Sequence, residues 1–129
     1  MARTAEEQRN LDLVLTMYNE VLVPFDSSKV ERYISPDYMQ HSSLAPPGRA
    51  ALKEFLDFIR QRSPDAQTSI KRAFVDGDHV VCHVHVIRHP GDPGLAVVDI
   101  FRVADGMIAE HWDVLMDVPS KPVNPLPMF

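Results

Sequence analysis

An α+β fold, three helices followed by a mostly antiparallel sheet, is what this chain of 129 residues predicts. Three observations predict it. Apolar residues recur at helical spacing in three segments that all precede Pro64. β-Branched runs with a period of two then fill the stretch from Gln67 to Met116. The breaks between those runs, Asp76-Gly77-Asp78, Pro90 to Gly94 and Ala104-Asp105-Gly106, are short and rich in turn residues. Such turns join antiparallel neighbours, because parallel strands need long crossovers.

The first helix is predicted over Ala5 to Val23, where Leu11, Val14, Leu15, Tyr18, Val21 and Leu22 form one stripe. Thr4 caps it, with Glu7 as the capping-box partner, and Pro24 stops it. A second, short helix runs from Ser27 to Ile34, capped by Asp26, burying Val30, Tyr33 and Ile34 and ended by Pro36. Tyr38 to Gly48, YMQHSSLAPPG, is a loop by composition, yet it gathers an aromatic, a methionine and a histidine, as loops facing a site often do. The third helix, Arg49 to Arg62, turns Leu52, Phe55, Leu56 and Ile59 to one face before Ser63-Pro64 closes it.

Four strands follow, over Gln67 to Val75, His79 to Arg88, Leu95 to Val103 and Met107 to Met116. The tail from Pro119, PSKPVNPLPMF, carries four prolines and is expected to be extended. Neither a repeat nor a linker interrupts the chain, so residues 1–129 read as a single domain with a Pro-rich tail from about 119, its helices covering one face of a curved sheet.

A net charge of -5 offers no basic field to a phosphate backbone, which argues against a nucleic-acid partner. The single cysteine, Cys82, excludes an intrachain disulfide and fits a reducing compartment. With no apolar leader and no stretch of membrane-spanning length, no membrane partner is expected and a cytoplasmic location is.

The strand HVVCHVHVIR, His79 to Arg88, splits into a row Val80, Cys82, Val84, Val86 and a row holding His83 and His85. On the next strand Asp99 sits among Val97, Val98, Ile100 and Phe101, where a carboxylate is costly without partners. A five-residue loop, Pro90 to Gly94, would pair His89 with Leu95, bringing His85 opposite Asp99 and His83 opposite Phe101. The rival register buries Asp99 against the apolar row, and is disfavoured on that ground. A two-residue turn at Asp105-Gly106 then sets Asp99 beside Trp112. One face would gather His83, His85, Asp99, Phe101 and Trp112; the other would gather Val80, Cys82, Val84, Val86, Ala96, Val98 and Ile100, with His111 and Asp113. Three helices cover one face of the sheet. The leftover apolar face, Val80, Cys82, Val84, Val86, Val98 and Ile100, predicts a homodimer.

The order of helix, short helix, YMQH loop, helix and strand meander, with VVDIFR and DGMIAEHWDV in it, resembles the SnoaL-like, polyketide cyclase-like branch of the nuclear transport factor 2-like superfamily over roughly Leu11 to Pro119. The resemblance implies a cone-shaped fold around a mostly apolar pocket, often dimeric through the outer sheet face. It also implies an aspartate on a pocket strand acting as general acid/base in aldol closure, without metal or organic cofactor. Asp99 is the residue that falls on that strand.

The expected function is therefore cofactor-free acid/base chemistry, of cyclase, isomerase or dehydratase type, on a small, mostly apolar carbonyl compound. Asp99 would take and return the proton, His85 or His83 would orient it or stabilise an oxyanion, and Tyr38, His41, Phe101 and Trp112 would bind substrate. The bland readings are a structural Asp-His pair, loop packing and core packing. A non-catalytic binding or dimerisation module of the same fold is the alternative function. The HxH at His83 and His85 opens like a cupin metal motif, with Gly77 before it, but no Glu follows at the right distance, and no metal site is assigned. His79, His89 and His111 read as surface or turn residues, Cys82 as a packed strand residue, and Lys71 and Arg72 receive no role.

Overall fold

The computed structural model describes residues 2–129. Helix α1, Ala5–Met17, begins as expected, with Thr4 accepting from the Glu7 amide while the Glu7 carboxylate accepts from the Thr4 amide. That carboxylate also accepts from the Gly77 amide, and Asn10 donates to the Gly77 carbonyl, so the helix start is tied to a turn of the sheet. The helix then widens into one π-helical turn, Tyr18–Leu22, closed by the Val23 amide on the Tyr18 carbonyl at 2.8 Å before Pro24 ends the ladder. A 3₁₀ turn, Ser27–Lys29, leads into the single-turn α2, Val30–Tyr33, and α3 spans Arg49–Arg62.

Five strands follow the order β1-β5-β4-β3-β2 in one open sheet. β2, β3, β4 and β5 are Gln67–Asp76, His79–Ile87, Leu95–Ala104 and Met107–Asp117, an antiparallel meander that matches the predicted runs within two residues. β1, Ile34–Gln40, was not expected. It lies parallel to β5 at the sheet edge, where Pro36 and a register shift between Ile34 and Met39 are tolerated because only one side of the strand must pair. The stretch expected as a loop therefore starts with the last three residues of a strand, Tyr38, Met39 and Gln40.

The register of β3 on β4 differs from expectation. Cys82 pairs with Asp99, His83 with Val98 and His85 with Ala96. The two strands stop pairing with each other at Val86 and Leu95; β3 runs one residue further, to Ile87 beside β2, and Arg88 to Gly94 forms the connection. Asp92 organises it by accepting from the Arg88 amide and guanidinium and from the Gly94 amide. At Gly94 (φ +99°) a Cβ would lie 2.5 Å from the Val86 carbonyl oxygen and 2.6 Å from the His85 ring, so this close crossing needs glycine. The longer loop reverses the parity of the pairing. β4 on β5 starts at the expected Ala104–Met107 pair, but a bulge after Val103–Ile108 brings Asp99 opposite Asp113 and Phe101 opposite His111.

The two faces exchange members accordingly. Val80, Cys82 and Val84 are fully buried under the helices, with Val97, Phe101, Val103 and Ile108, against Leu11, Val14, Met17, Val21, Leu52 and Leu56. Fully burying each such aliphatic side chain contributes about 1.5–3 kcal/mol before entropy is counted, which is why this row, and not the histidine row, faces the helices. Val98, Val114 and Met116 are exposed on the outer face. The tail beyond Asp117 forms no helix or strand, and Phe129 stacks on His85 at 4.2 Å between ring centroids and on His83 at 5.4 Å. No helix among the described residues is long and apolar enough to cross a membrane.

Candidate active site

Between the helices and the inner sheet face lies a cavity of about 570 Å³. Leu22, Phe25, Leu52, Phe55, Leu56 and Ile59 form its helical wall, and Val86, Val97 and Leu115 part of its floor. Its polar groups include Tyr18, Tyr38, Gln40, Ser42, Asp99, His111 and Asp113, with Ser63, Thr68, Arg88 and Asp117 also on the lining. Alternation along two neighbouring strands produces most of that set. Gln40 and Ser42 point inward with His41 outward, and beside them His111 and Asp113 point inward with Trp112 outward.

Asp99 is 4% exposed, and both of its oxygens are engaged. Tyr18 donates its hydroxyl to Oδ2 at 2.7 Å, and His111 Nε2 lies 2.8 Å from Oδ1. The π turn that begins at Tyr18 carries this hydroxyl from the helix to the sheet. Burial, then the Asp99 carboxylate, holds the Tyr18 hydroxyl well above the usual phenol range, so it remains a donor. Phe101 stacks on the His111 ring at 4.7 Å and meets Tyr18 edge-on at 6.3 Å, fixing both rings.

The hydrogen bonds determine the proton on His111. Gln40 Oε1 accepts from the Ser42 amide at 3.0 Å, while Gln40 Nε2 donates to the Tyr38 hydroxyl at 2.8 Å. A backbone N–H can only donate, so the Gln40 oxygen faces Ser42, and the His111 Nδ1 that lies 2.7 Å from that same oxygen carries a hydrogen. A neutral His111 then has a bare Nε2, and Asp99 must be the acid that donates to it; otherwise His111 is an imidazolium donating to an Asp99 carboxylate. In both arrangements one proton lies between Asp99 and His111.

Asp113, half-buried and opposite Asp99, accepts from Ser42 Oγ at 2.8 Å, its one side-chain hydrogen bond among the described residues. Tyr38, 5% exposed, accepts from Gln40 and offers its own hydrogen to the cavity, its hydroxyl raised by burial and by the Asp99 and Asp113 carboxylates. Ligand atoms of Asp99, His111 and Asp113 all lie within 4.8 Å of one another, so these three are the residues that could hold a cation. His111 would have to give up its bond to Asp99 to ligate through Nε2.

The SnoaL-like domain model matches residues 14–111, most of the chain. The chain belongs to the SnoaL-like domain family. Its fold is shared with solved structures at low identity. A candidate polyketide cyclase from Bacillus cereus ATCC 10987 superposes with a TM-score of 0.75 at 19% identity, over 88% of this chain and 78% of that one. A candidate SnoaL-like polyketide cyclase from Jannaschia sp. CCS1 gives 0.75 at 19% identity, over 89% and 90%. A candidate ketosteroid isomerase from Kribbella flavida DSM 17836 gives 0.67 at 21% identity, over 92% and 86%. No curated protein matches the chain in sequence.

In this SnoaL-like domain the residues picked from sequence divide between the two sheet faces. Asp99 and Tyr38 line the cavity, and Phe101 is buried beneath His111 and Tyr18. His83 and His85 do not meet Asp99. They lie on the outer face, where His83 contacts Arg72, and His85 Nε2 lies 2.8 Å from the Pro93 carbonyl oxygen. Trp112 and His41 are also outside, stacked at 5.0 Å with their rings 2° from parallel. The surface row expected from Val80, Cys82, Val84 and Val86 is likewise inverted, since the first three are wholly buried. His111, read as a surface residue, is 8% exposed and is the imidazole that reaches Asp99.

Tyr18, Gln40, Ser42, His111 and Asp113 are the residues that sequence reasoning missed. One signal pointed to four of them, all but Tyr18. Gln40 and Ser42, like His111 and Asp113, are i, i+2 polar pairs in adjacent segments of the chain's most specific motifs.

Proposed function

We propose that this SnoaL-like domain is a general acid/base enzyme acting on a small, mostly apolar carbonyl compound, with Asp99 and Asp113 dividing the acid and base roles. The observation that carries this reading is two carboxylates facing one cavity, one of them sharing a proton with His111 and the other holding only a serine. An acid and a base poised side by side are what enolisation needs.

Asp113 takes the proton from the carbon next to the substrate carbonyl. The electron pair moves onto the carbonyl oxygen, where the Tyr38 hydroxyl donates a hydrogen bond to the developing enolate. When the Asp99–His111 pair protonates the oxygen, Asp113 delivers its proton to another carbon as the pair takes the oxygen's proton back. When the pair protonates the second carbon or the new alkoxide of an aldol closure, the proton held by Asp113 passes to the pair and restores it. Reprotonation at another carbon gives isomerisation; attack of the enolate carbon on a second carbonyl gives aldol closure. The apolar helical wall excludes water and favours a neutral hydrocarbon frame.

Incubating the protein in D₂O with a panel of cyclic and linear ketones tests the reading. Deuterium at the carbon next to the carbonyl, lost in Asp113→Asn, supports it. A ketone that binds and is recovered without deuterium overturns it in favour of a binding module. The homodimer is proposed on the outer residues Val98, Ile100, Val114 and Met116. Sedimentation at micromolar concentration should give a dimer, and a monomer would sink that proposal.

A further inference from the structure

The end of β1 is weakly held by its backbone. It is an edge strand with β5 as its one neighbour, its register breaks between Ile34 and Met39, and after Met39 and Gln40 the last backbone bond to β5 is the His41 amide on the His111 carbonyl at 2.9 Å. Yet Gln40 and Ser42, at that loosely held end, fix the hydrogen on His111 and the orientation of Asp113. That single backbone bond leaves Gln40-His41-Ser42 free to twist against His111-Trp112-Asp113 unless side chains add to it.

The outward side chains of the same two stretches do so. The His41 ring lies flat on Trp112, 2° from parallel, and His41 Nε2 is 2.7 Å from Glu110 Oε2. Glu110 is fixed in turn by Arg102 on β4, whose Nε donates to Oε1 at 2.9 Å. From β3, His79 stacks on the same indole at 5.9 Å and is itself paired with Asp78. One residue of slip or twist at His41 would break the stack outside and, at the same time, the Gln40–His111 and Ser42–Asp113 bonds inside.

We infer that His41 is a positioning residue: by clasping Trp112 and Glu110 on the outer face it holds Gln40 and Ser42 in the register that orients His111 and Asp113 in the cavity. Its consequence for turnover rests on the acid/base reading above; its consequence for the site's geometry does not. His41 never touches substrate, so its removal acts on the orientation of the reacting groups and lowers kcat with little change in KM.

Amide hydrogen exchange and the His111 ring-proton resonance read the clasp without any substrate. In His41→Ala the Ser42 amide, bonded to Gln40, should exchange about tenfold faster and the His111 Nδ1 proton signal should broaden, while β3 amides such as Val84 stay protected; His41→Phe, which keeps the stack, should remain within about twofold of the unmodified protein. Where a ketone substrate has been found, deuterium incorporation by His41→Ala should show the same loss in kcat. Unchanged Ser42 exchange in His41→Ala overturns the inference, as does equal loss in His41→Phe or a uniform loss that includes Val84. If no ketone is ever deuterated by the unmodified protein, the proposed function fails, and the exchange result still decides the clasp.

Discussion

His111 meets Asp99 through Nε2 at 2.8 Å while its Nδ1 is committed to Gln40, so the two residues hold one proton between them. Asp99→Asn separates the geometry of this pair from its chemistry. The amide can still donate to Nε2 and accept from Tyr18, so the fold and cavity should persist while the transferable proton is gone. Deuterium incorporation into a ketone substrate should fall by about 10²–10⁴-fold in both Asp99→Asn and Asp113→Asn, the usual worth of a positioned acid or base. Full turnover in either variant would remove that residue from the mechanism.

Tyr18→Phe keeps the ring against Phe101 and deletes the donor to Asp99 Oδ2. An acceptor buried to 4% exposure then lacks one partner, at a cost of about 1–3 kcal/mol in unfolding free energy. Urea unfolding measures it, and a stability equal to that of the unmodified protein would show that water replaces the hydroxyl.

Cys82 faces the core opposite Asp99, and burial, then the Asp99 charge, pushes its thiol up to about 12. At pH 8 the native protein should therefore resist a thiol-alkylating reagent and react only once unfolded in urea. Rapid labelling of the folded protein, followed by mass spectrometry, would contradict its placement.

The Asp92 carboxyl is held well below the usual carboxylate range, first by the Arg88 guanidinium, then by the Arg88 and Gly94 amides. A depressed folded-state value means that its stabilisation is complete above the unfolded value of about 4 and is lost as pH falls through the folded one. Melting temperature should drop between about pH 4 and pH 2, and Asp92→Asn should lower it at pH 7 while flattening that acid limb. Parallel acid limbs in the two proteins would show that the loss comes from other carboxylates.

Capping, apolar periodicity and turn chemistry act within a few residues, and the sequence alone sufficed for what they control: the Thr4–Glu7 start of α1, the limits of α3 and the antiparallel meander. The SnoaL-like membership was legible separately, as a resemblance in the order of its motifs. Asp99 was legible as a site residue because a lone carboxylate in VVDIFR needs a partner wherever it points. Its partner was not legible. Whether His85 or His111 reaches Asp99 depends on parity, and parity was set by the Arg88–Asp92 contacts that lengthen the β3–β4 connection and by the bulge between Val103 and Arg102. β1 escaped notice because an edge strand containing Pro36 has a loop's composition and gains its identity only from β5. Local propensity thus determined the helices and the four strands of the meander, but not β1. Only the tertiary structure decided which face of each strand the helices cover, because a shift of one residue in pairing turns every side chain to the other side of the sheet.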